Sequence, residues 1–181
     1  CPHPRNGPLK KGLRFLAHAA LGTMWTGSQW ENNMRIKIID AVVKNSDRLR
    51  TNEQDIRESL RPDTEIDFAH MSKGFPSVEC DLHAAFNKPQ IIASAIQAER
   101  DGFDGVFVNC FDDPGVYECR ELLSVPVFGG YVPAMMTALS LAERVAIITT
   151  DRFGILSEER KARMLGISER IAAIVPVELG V

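Results

Sequence analysis

No apolar run in the 181 residues approaches the roughly 18 needed to span a bilayer, so no transmembrane helix is expected. The best imitation of a signal-peptide core, residues 13–21 behind Lys10 and Lys11, is interrupted by Arg14 and His18. There is no excess of positive charge either. The formal net charge is −3 and no long basic run occurs, which removes the usual electrostatic footprint of a nucleic-acid binder. Cysteines are few and irregularly spaced (Cys1, Cys80, Cys110, Cys119), with no Cys-x-x-Cys pair and no close histidine suited to zinc. Reduced thiols in a cytoplasmic protein are therefore expected. Also missing are the Gly-x-Gly-x-x-Gly and Walker phosphate loops, and the Cys-x5-Arg loop of a phosphatase. Together these absences leave a small-molecule ligand as the expected partner.

What is present is ordinary globular composition, with 25% charged and 45% hydrophobic residues. Residues 1–33 are punctuated by Pro2, Pro4, Gly7, Pro8, Gly12, Gly22 and Gly27 and read as a poorly ordered extension. Met34 is a candidate natural start, because the character changes there.

From Met34 onward, strand and helix signals alternate. Strands are expected over 35–40, 64–69, 106–108, 125–128, 145–148 and 172–177. Helices are expected over 46–60, from Pro89 to about 100, and over 114–122, 133–142 and 157–165; residues 71–87 read as a loop leading into a short helix. This order predicts an α/β doubly wound parallel sheet of Rossmann or flavodoxin type, with ligands at the carboxyl ends of the strands. The length alone makes one α/β domain the default.

The tip of the third strand carries the most chemistry. In Asn109-Cys110-Phe111-Asp112-Asp113-Pro114-Gly115 a thiol ends a strand just before a helix that Pro114 can open. A helix N-terminus favours thiolate relative to an ordinary thiol pKa of about 8.5. Asp112 and Asp113 oppose that if they face the sulfur, unless one of them caps the helix. The balance is open at this stage. Cys119 and Cys80 read as structural, Cys1 as terminal, and His70 and His83 as surface or loop residues without a convincing partner.

The same segment, followed by Arg120-Glu121-Leu122, Val125-Pro126-Val127, Gly129 and Arg144-Val145-Ala146-Ile147-Ile148-Thr149-Thr150, resembles successive stretches of the aspartate/glutamate/hydantoin racemase superfamily. The resemblance runs from about Met34 to Val181. It implies two αβα lobes facing each other across a cleft, here partial lobes over 34–98 and 99–181, with a cysteine from each on opposite faces of the substrate's α-carbon. Inversion then needs neither metal nor pyridoxal phosphate, and a hydantoin, allantoin or amino-acid-like substrate and a homo-oligomer are expected.

The resemblance makes Cys110 the acid/base thiol. Asn109, Phe111, Asp112, Thr149 and Thr150 become candidate substrate contacts, although the two threonines serve equally well as caps of a turn. Asn45 matches the family's Asn-Pro-Asn loop only loosely. No residue matches the family's second cysteine, and the chain's end at Val181, just after an apolar strand, reads as a fragment. Two other readings stay open: a one-cysteine decarboxylase or cis–trans isomerase of the same superfamily, and an inactive flavodoxin-like domain binding a small anion.

Overall fold

The computed structural model describes residues 34–43 and 46–178, with the backbone alone for 46–52; the expected extension 1–33 and Asn45 lie outside the described residues. The order is β1 (Met34–Val43), α1 (Ser46–Ser59), β2 (Thr64–Met71), α2 (Asp81–Arg100), β3 (Gly105–Asn109), α3 (Val116–Leu122), β4 (Val127–Phe128), α4 (Tyr131–Leu141), β5 (Val145–Thr149), α5 (Arg152–Met164), a 3-10 turn (Ser168–Arg170) and β6 (Ile171–Pro176). No described helix is long and apolar enough to cross a membrane.

Four strands form one parallel sheet in the order β2-β1-β3-β4, and β5 pairs with β6, also in parallel, in a second sheet. The α/β expectation holds. Within the four-stranded sheet β3 pairs with β1 (Ile39 opposite Val108, Asp40 opposite Asn109), and the change from one sheet to the other falls between Phe128 and Val145.

The first core follows from α2, whose Ile91, Ala95 and Ala98 recur at helical spacing and pack on Ile39, Ala41, Val106 and Val108 of the sheet. These strands carry consecutive apolar residues because helices cover the sheet, as parallel sheets require. The second core is smaller: Tyr131, Met135 and Ile147.

Pro89 does not open a helix as expected. It sits nine residues into α2, on an exposed side, where the Ala85 carbonyl that loses its partner can turn to water. The helix starts earlier because Asn87, fully buried, organises the preceding loop. Its Nδ2 donates to the Ala41 carbonyl (2.8 Å) and its Oδ1 accepts from the Phe75 N–H (3.1 Å). One turn of the same loop needs Gly74 at φ +139, pressed against Asn87.

Candidate active site

The chain steps from β1 to β2 on one side and reaches β3 on the other, so the order reverses between β1 and β3. Ligand crevices of open α/β sheets form at such a point, at the carboxyl ends of the strands. Asp40, buried, is the last residue of β1 paired with β3, Asn109 opposite it closes β3, and Cys110 follows.

Cys110 is partly buried and packs against the first core. Its backbone forms the centre of a tight turn. The Cys110 carbonyl accepts from Asp113 (3.3 Å) and from Gly130 (3.2 Å), while the Cys110 N–H donates to Val108 (2.9 Å). Gly129 and Gly130 are required by space: a Cβ on Gly129 would strike the Asp113 carboxylate, and one on Gly130 would lie 2.9 Å from the Cys110 carbonyl oxygen. The Gly-Gly pair is thus where one backbone passes against another.

The helix after Cys110 differs from expectation. It begins at Val116, with Gly115 at φ +81 as its cap and no side-chain cap, so neither aspartate serves it. Asp113, itself in the left-handed region at φ +49, instead accepts from the Tyr131 N–H (3.0 Å) and caps α4 across the structure. Asp112 accepts from Lys161 Nζ (2.8 Å) and from Ser157 Oγ (3.1 Å), both on α5. Burial first, and the Asp112 charge second, push the Cys110 thiol up to about 12, against the opposing pull of the Asp112 N–H aimed at the sulfur and of Lys161. The resting group is a neutral thiol.

Asn109 Nδ2 donates to Asp40 Oδ1 (2.7 Å), so this side chain is committed to the neighbouring strand. Phe111 is exposed and meets Tyr131 edge to face (5.1 Å between centroids). Thr149 ends β5 in the second sheet and Thr150 follows it. The Thr149 carbonyl accepts from Val177 (3.0 Å) and its side chain lies against Gly154, while Asp151 caps α5 through the N–H groups of Phe153 (2.8 Å) and Gly154 (3.2 Å). The structure brings together Asn109, Cys110, Phe111 and Asp112; the threonines stand on the other sheet, whose α5 reaches the Cys110 turn through Ser157 and Lys161. Cys119 is fully buried and structural, as expected.

Both histidines have partners that sequence reasoning missed. His83 stacks on Phe75 (4.1 Å) and accepts from the Glu79 N–H (3.4 Å). His70 lies between two carboxylates: Nδ1 is 2.9 Å from Asp40 Oδ2 and Nε2 is 3.2 Å from Glu53 Oε1. Asp40, Glu53 and His70 are close enough to offer one donor atom each to a cation. The opposite ring nitrogens face different carboxylates, and neither His70 Nδ1 nor Asp40 Oδ2 has a hydrogen-bond partner among the described residues despite their approach. Burial raises the Asp40 carboxyl above its ordinary range, opposed by the Asn109 hydrogen bond and by His70. A shallow cavity of about 420 Å³ between α5 and β6, lined by Ile155, Ala162, Ile171 and Ile174 among others, is separate from Cys110.

The Asp/Glu/Hydantoin racemase family profile matches residues 46–181. A hydantoin racemase of Rhizobium meliloti is 35% identical over 74 residues (41% of this chain, 31% of the relative), and one of Pseudomonas sp. strain NS671 is 28% identical over 93 residues (51% and 37%). Among solved structures, an allantoin racemase from Klebsiella pneumoniae superposes with a TM-score of 0.75 at 27% identity, covering 82% of this chain and 60% of that one. Glutamate racemase from Aquifex pyrophilus shares the fold (TM-score 0.51, 18% identity, 80% and 56% covered). The chain spans about a third of the length of the curated relatives it matches. With the profile covering three quarters of the residues and the same fold in the solved relatives, this chain belongs to the Asp/Glu/hydantoin racemase family.

Proposed function

We propose that this chain carries one acid/base half of a racemase acting on a carbon next to a carbonyl in a hydantoin- or allantoin-like small molecule, with Cys110 as the proton-exchanging group. The observation that carries the reading is the place of Cys110: a partly buried thiol at the switch point of the sheet, in a turn pinned by Asp113 and Gly130. The family membership and the names of the relatives supply the reaction class and the substrate class.

The neutral resting thiol fits the proton-donating member of a two-base pair. Single-face exchange runs through the thiolate: the sulfur takes the α-proton, leaving the enolate and a neutral thiol, the S–H proton exchanges with solvent, and the thiol returns a solvent hydron to the same face of the carbon. Positioned N–H groups must stabilise the enolate that forms between, since acid/base help alone gives only about 10²–10⁴-fold. The Asp112 N–H, already aimed at the sulfur, is one such donor. The Asp112 carboxylate is taken by Lys161 and Ser157, and Asn109 is taken by Asp40. That leaves the exposed Phe111 ring, Thr149 and Thr150 as the proposed substrate contacts, with Asn45 proposed from the sequence alone, and no metal or organic cofactor is invoked. Residues 120–181 contain no further cysteine, so single-face exchange is the part of the reaction these residues carry.

The test is incubation with hydantoins and allantoin in deuterated buffer, followed by NMR of the α-proton. Exchange is expected with the native chain and lost in Cys110→Ala. Exchange that survives the substitution removes Cys110 from the chemistry, and carbon dioxide release from malonates would redirect the reading to decarboxylation.

A further inference from the structure

Lys161 stands out as a buried charge that the reading above leaves without a task. Its side chain is only 14% exposed. The Nζ donates to Asp112 Oδ1 (2.8 Å), to Glu158 Oε1 (2.8 Å) and to the Phe111 carbonyl (3.1 Å), and sits over the Tyr131 ring (4.6 Å) and the Phe111 ring (5.2 Å). Two of these partners are the two residues that follow Cys110. Ser157, Glu158 and Lys161 share one face of α5 through their i,i+3 and i,i+4 spacing, so a whole turn of helix addresses the Cys110 turn. A lysine surrounded this way keeps its charge: two carboxylates hold its pKa above the ordinary value even though burial pulls it down.

We propose that Lys161 is the positioning residue of the thiol site: it clamps the Cys110–Asp113 turn to α5 and supplies the positive charge against which a proton can leave the sulfur. The proposal rests on the reading of Cys110 as an exchanging thiol. Its physical basis is local charge. Asp112 and Asp113 flank the turn, and a thiolate formed between two carboxylates is opposed unless a cation stands beside them. Lys161 bonds Asp112 directly, which draws that negative charge away from the sulfur side and fixes the Phe111 peptide at the same time. Arginine can keep the charge while changing the shape; methionine keeps the length while removing the charge.

The experiment follows alkylation of Cys110 by iodoacetamide across pH, read peptide by peptide in a mass spectrometer so that Cys80 and Cys119 do not interfere. Lys161→Met should slow alkylation of Cys110 at least about tenfold at a given alkaline pH, one pKa unit being a factor of ten, and shift the profile to higher pH. Lys161→Arg should stay within about threefold of the native rate, as expected of a retained charge. Because Glu158 is buried and would be orphaned by Lys161→Met, the same comparison is made between Glu158→Gln and the Glu158→Gln/Lys161→Met double variant, each checked for native circular dichroism. Superimposable profiles with and without Lys161 in either folded background overturn the proposal. Deuterium exchange into substrate is measured in parallel. A shifted alkylation profile without exchange in the native chain defeats the catalytic reading of Cys110 and not the coupling to Lys161; normal exchange with an unmoved profile does the reverse.

Discussion

The two sheets are held by different forces. The four-stranded sheet closes on a continuous apolar core in which Ile39, Ile91, Ala95, Val108, Val116 and Cys119 are fully buried. The two-stranded sheet has three buried members in its own core and leaves Ile148 73% exposed and Val175 48% exposed. Beside the Phe111–Tyr131 ring contact, polar bonds tie it to the rest: Lys161 to Asp112, Ser157 to Asp112, and Arg160 to Asp81 (2.8 Å). Apolar burial stabilises in proportion to area and needs no particular angle, whereas a charged clasp is directional and leaves costly orphans when one member is lost. The candidate thiol lies on the seam between these regimes. Its strand belongs to the firm sheet, and its turn is gripped by the helix of the other.

The largest expected effect tests the firm side. Ile91→Ala removes a fully buried side chain from the centre of the first core and should cost about 3–5 kcal/mol in urea unfolding. Ile147→Ala, in the small core, should cost about 2 kcal/mol, near the low end of the same class, because its partly exposed neighbours can settle into the space. Equal costs would show that the second sheet is packed as tightly as the first, and the contrast would fail.

How far each region could be read from sequence follows the same division. The strands and most helices were legible, since apolar runs such as Val106-Phe107-Val108 and the spacing of Ile91, Ala95 and Ala98 are local signals of burial. The position of Cys110 at a strand tip was legible for the same reason. Its surroundings were not. Asp113 looks like the cap of the next helix until the backbone of Tyr131, 18 residues on, proves to be its partner. Lys161 is an ordinary surface lysine by pattern, and nothing in residues 152–164 signals that Asp112, 49 positions away, will meet it. His70 had no visible partner because Asp40 and Glu53 come from a different strand and helix. Asn87 and Pro89 were misjudged together: Pro89 weighs against a helix locally, and the buried bonds of Asn87, which depend on Ala41, outweigh it. Long-range polar bonds leave no periodicity in a sequence.

A pH series sharpens the comparison at intermediate size. Burial raises the carboxyls of Glu158 and Asp113, with Lys161 opposing in both. A carboxyl raised in the folded state contributes stability that is full below its unfolded value and is lost as pH rises through the folded one. On the first sheet the signs are opposite. Lys37 holds Asp67 below its ordinary range, and Lys88 does the same for Glu118, so their contributions are present above the ordinary range and lost as pH falls. Raising pH from the ordinary carboxylate range upward should therefore weaken the clasp while leaving the surface pairs of the first sheet intact. Glu158→Gln removes the titrating group. Its melting temperature relative to the native chain should climb over that rise in pH, and a difference that stays flat or falls would put the raised carboxyl elsewhere.

The smallest effect is expected at Tyr131, and its sign is the informative part. The residue is 1% exposed, and its hydroxyl is buried without a hydrogen-bond partner. Burial, followed by the nearby Glu158 and Asp113 charges, pushes the phenol up to about 12. Phenylalanine at this position keeps the edge-to-face contact with Phe111 and the seat under the Lys161 ammonium. It discards only a polar group that lost its water on folding and gained nothing in exchange. Since an unmade buried hydrogen bond costs about 1–3 kcal/mol, partly offset by the better fit of the cation to a tyrosine ring, Tyr131→Phe should be neutral or stabilising by up to about 1 kcal/mol. Chemical denaturation of the two proteins side by side decides it. A loss greater than about 1 kcal/mol would mean that the hydroxyl is bonded after all, and the clasp around Lys161 would then have one more member than the side chains of α5 and the Cys110 turn supply.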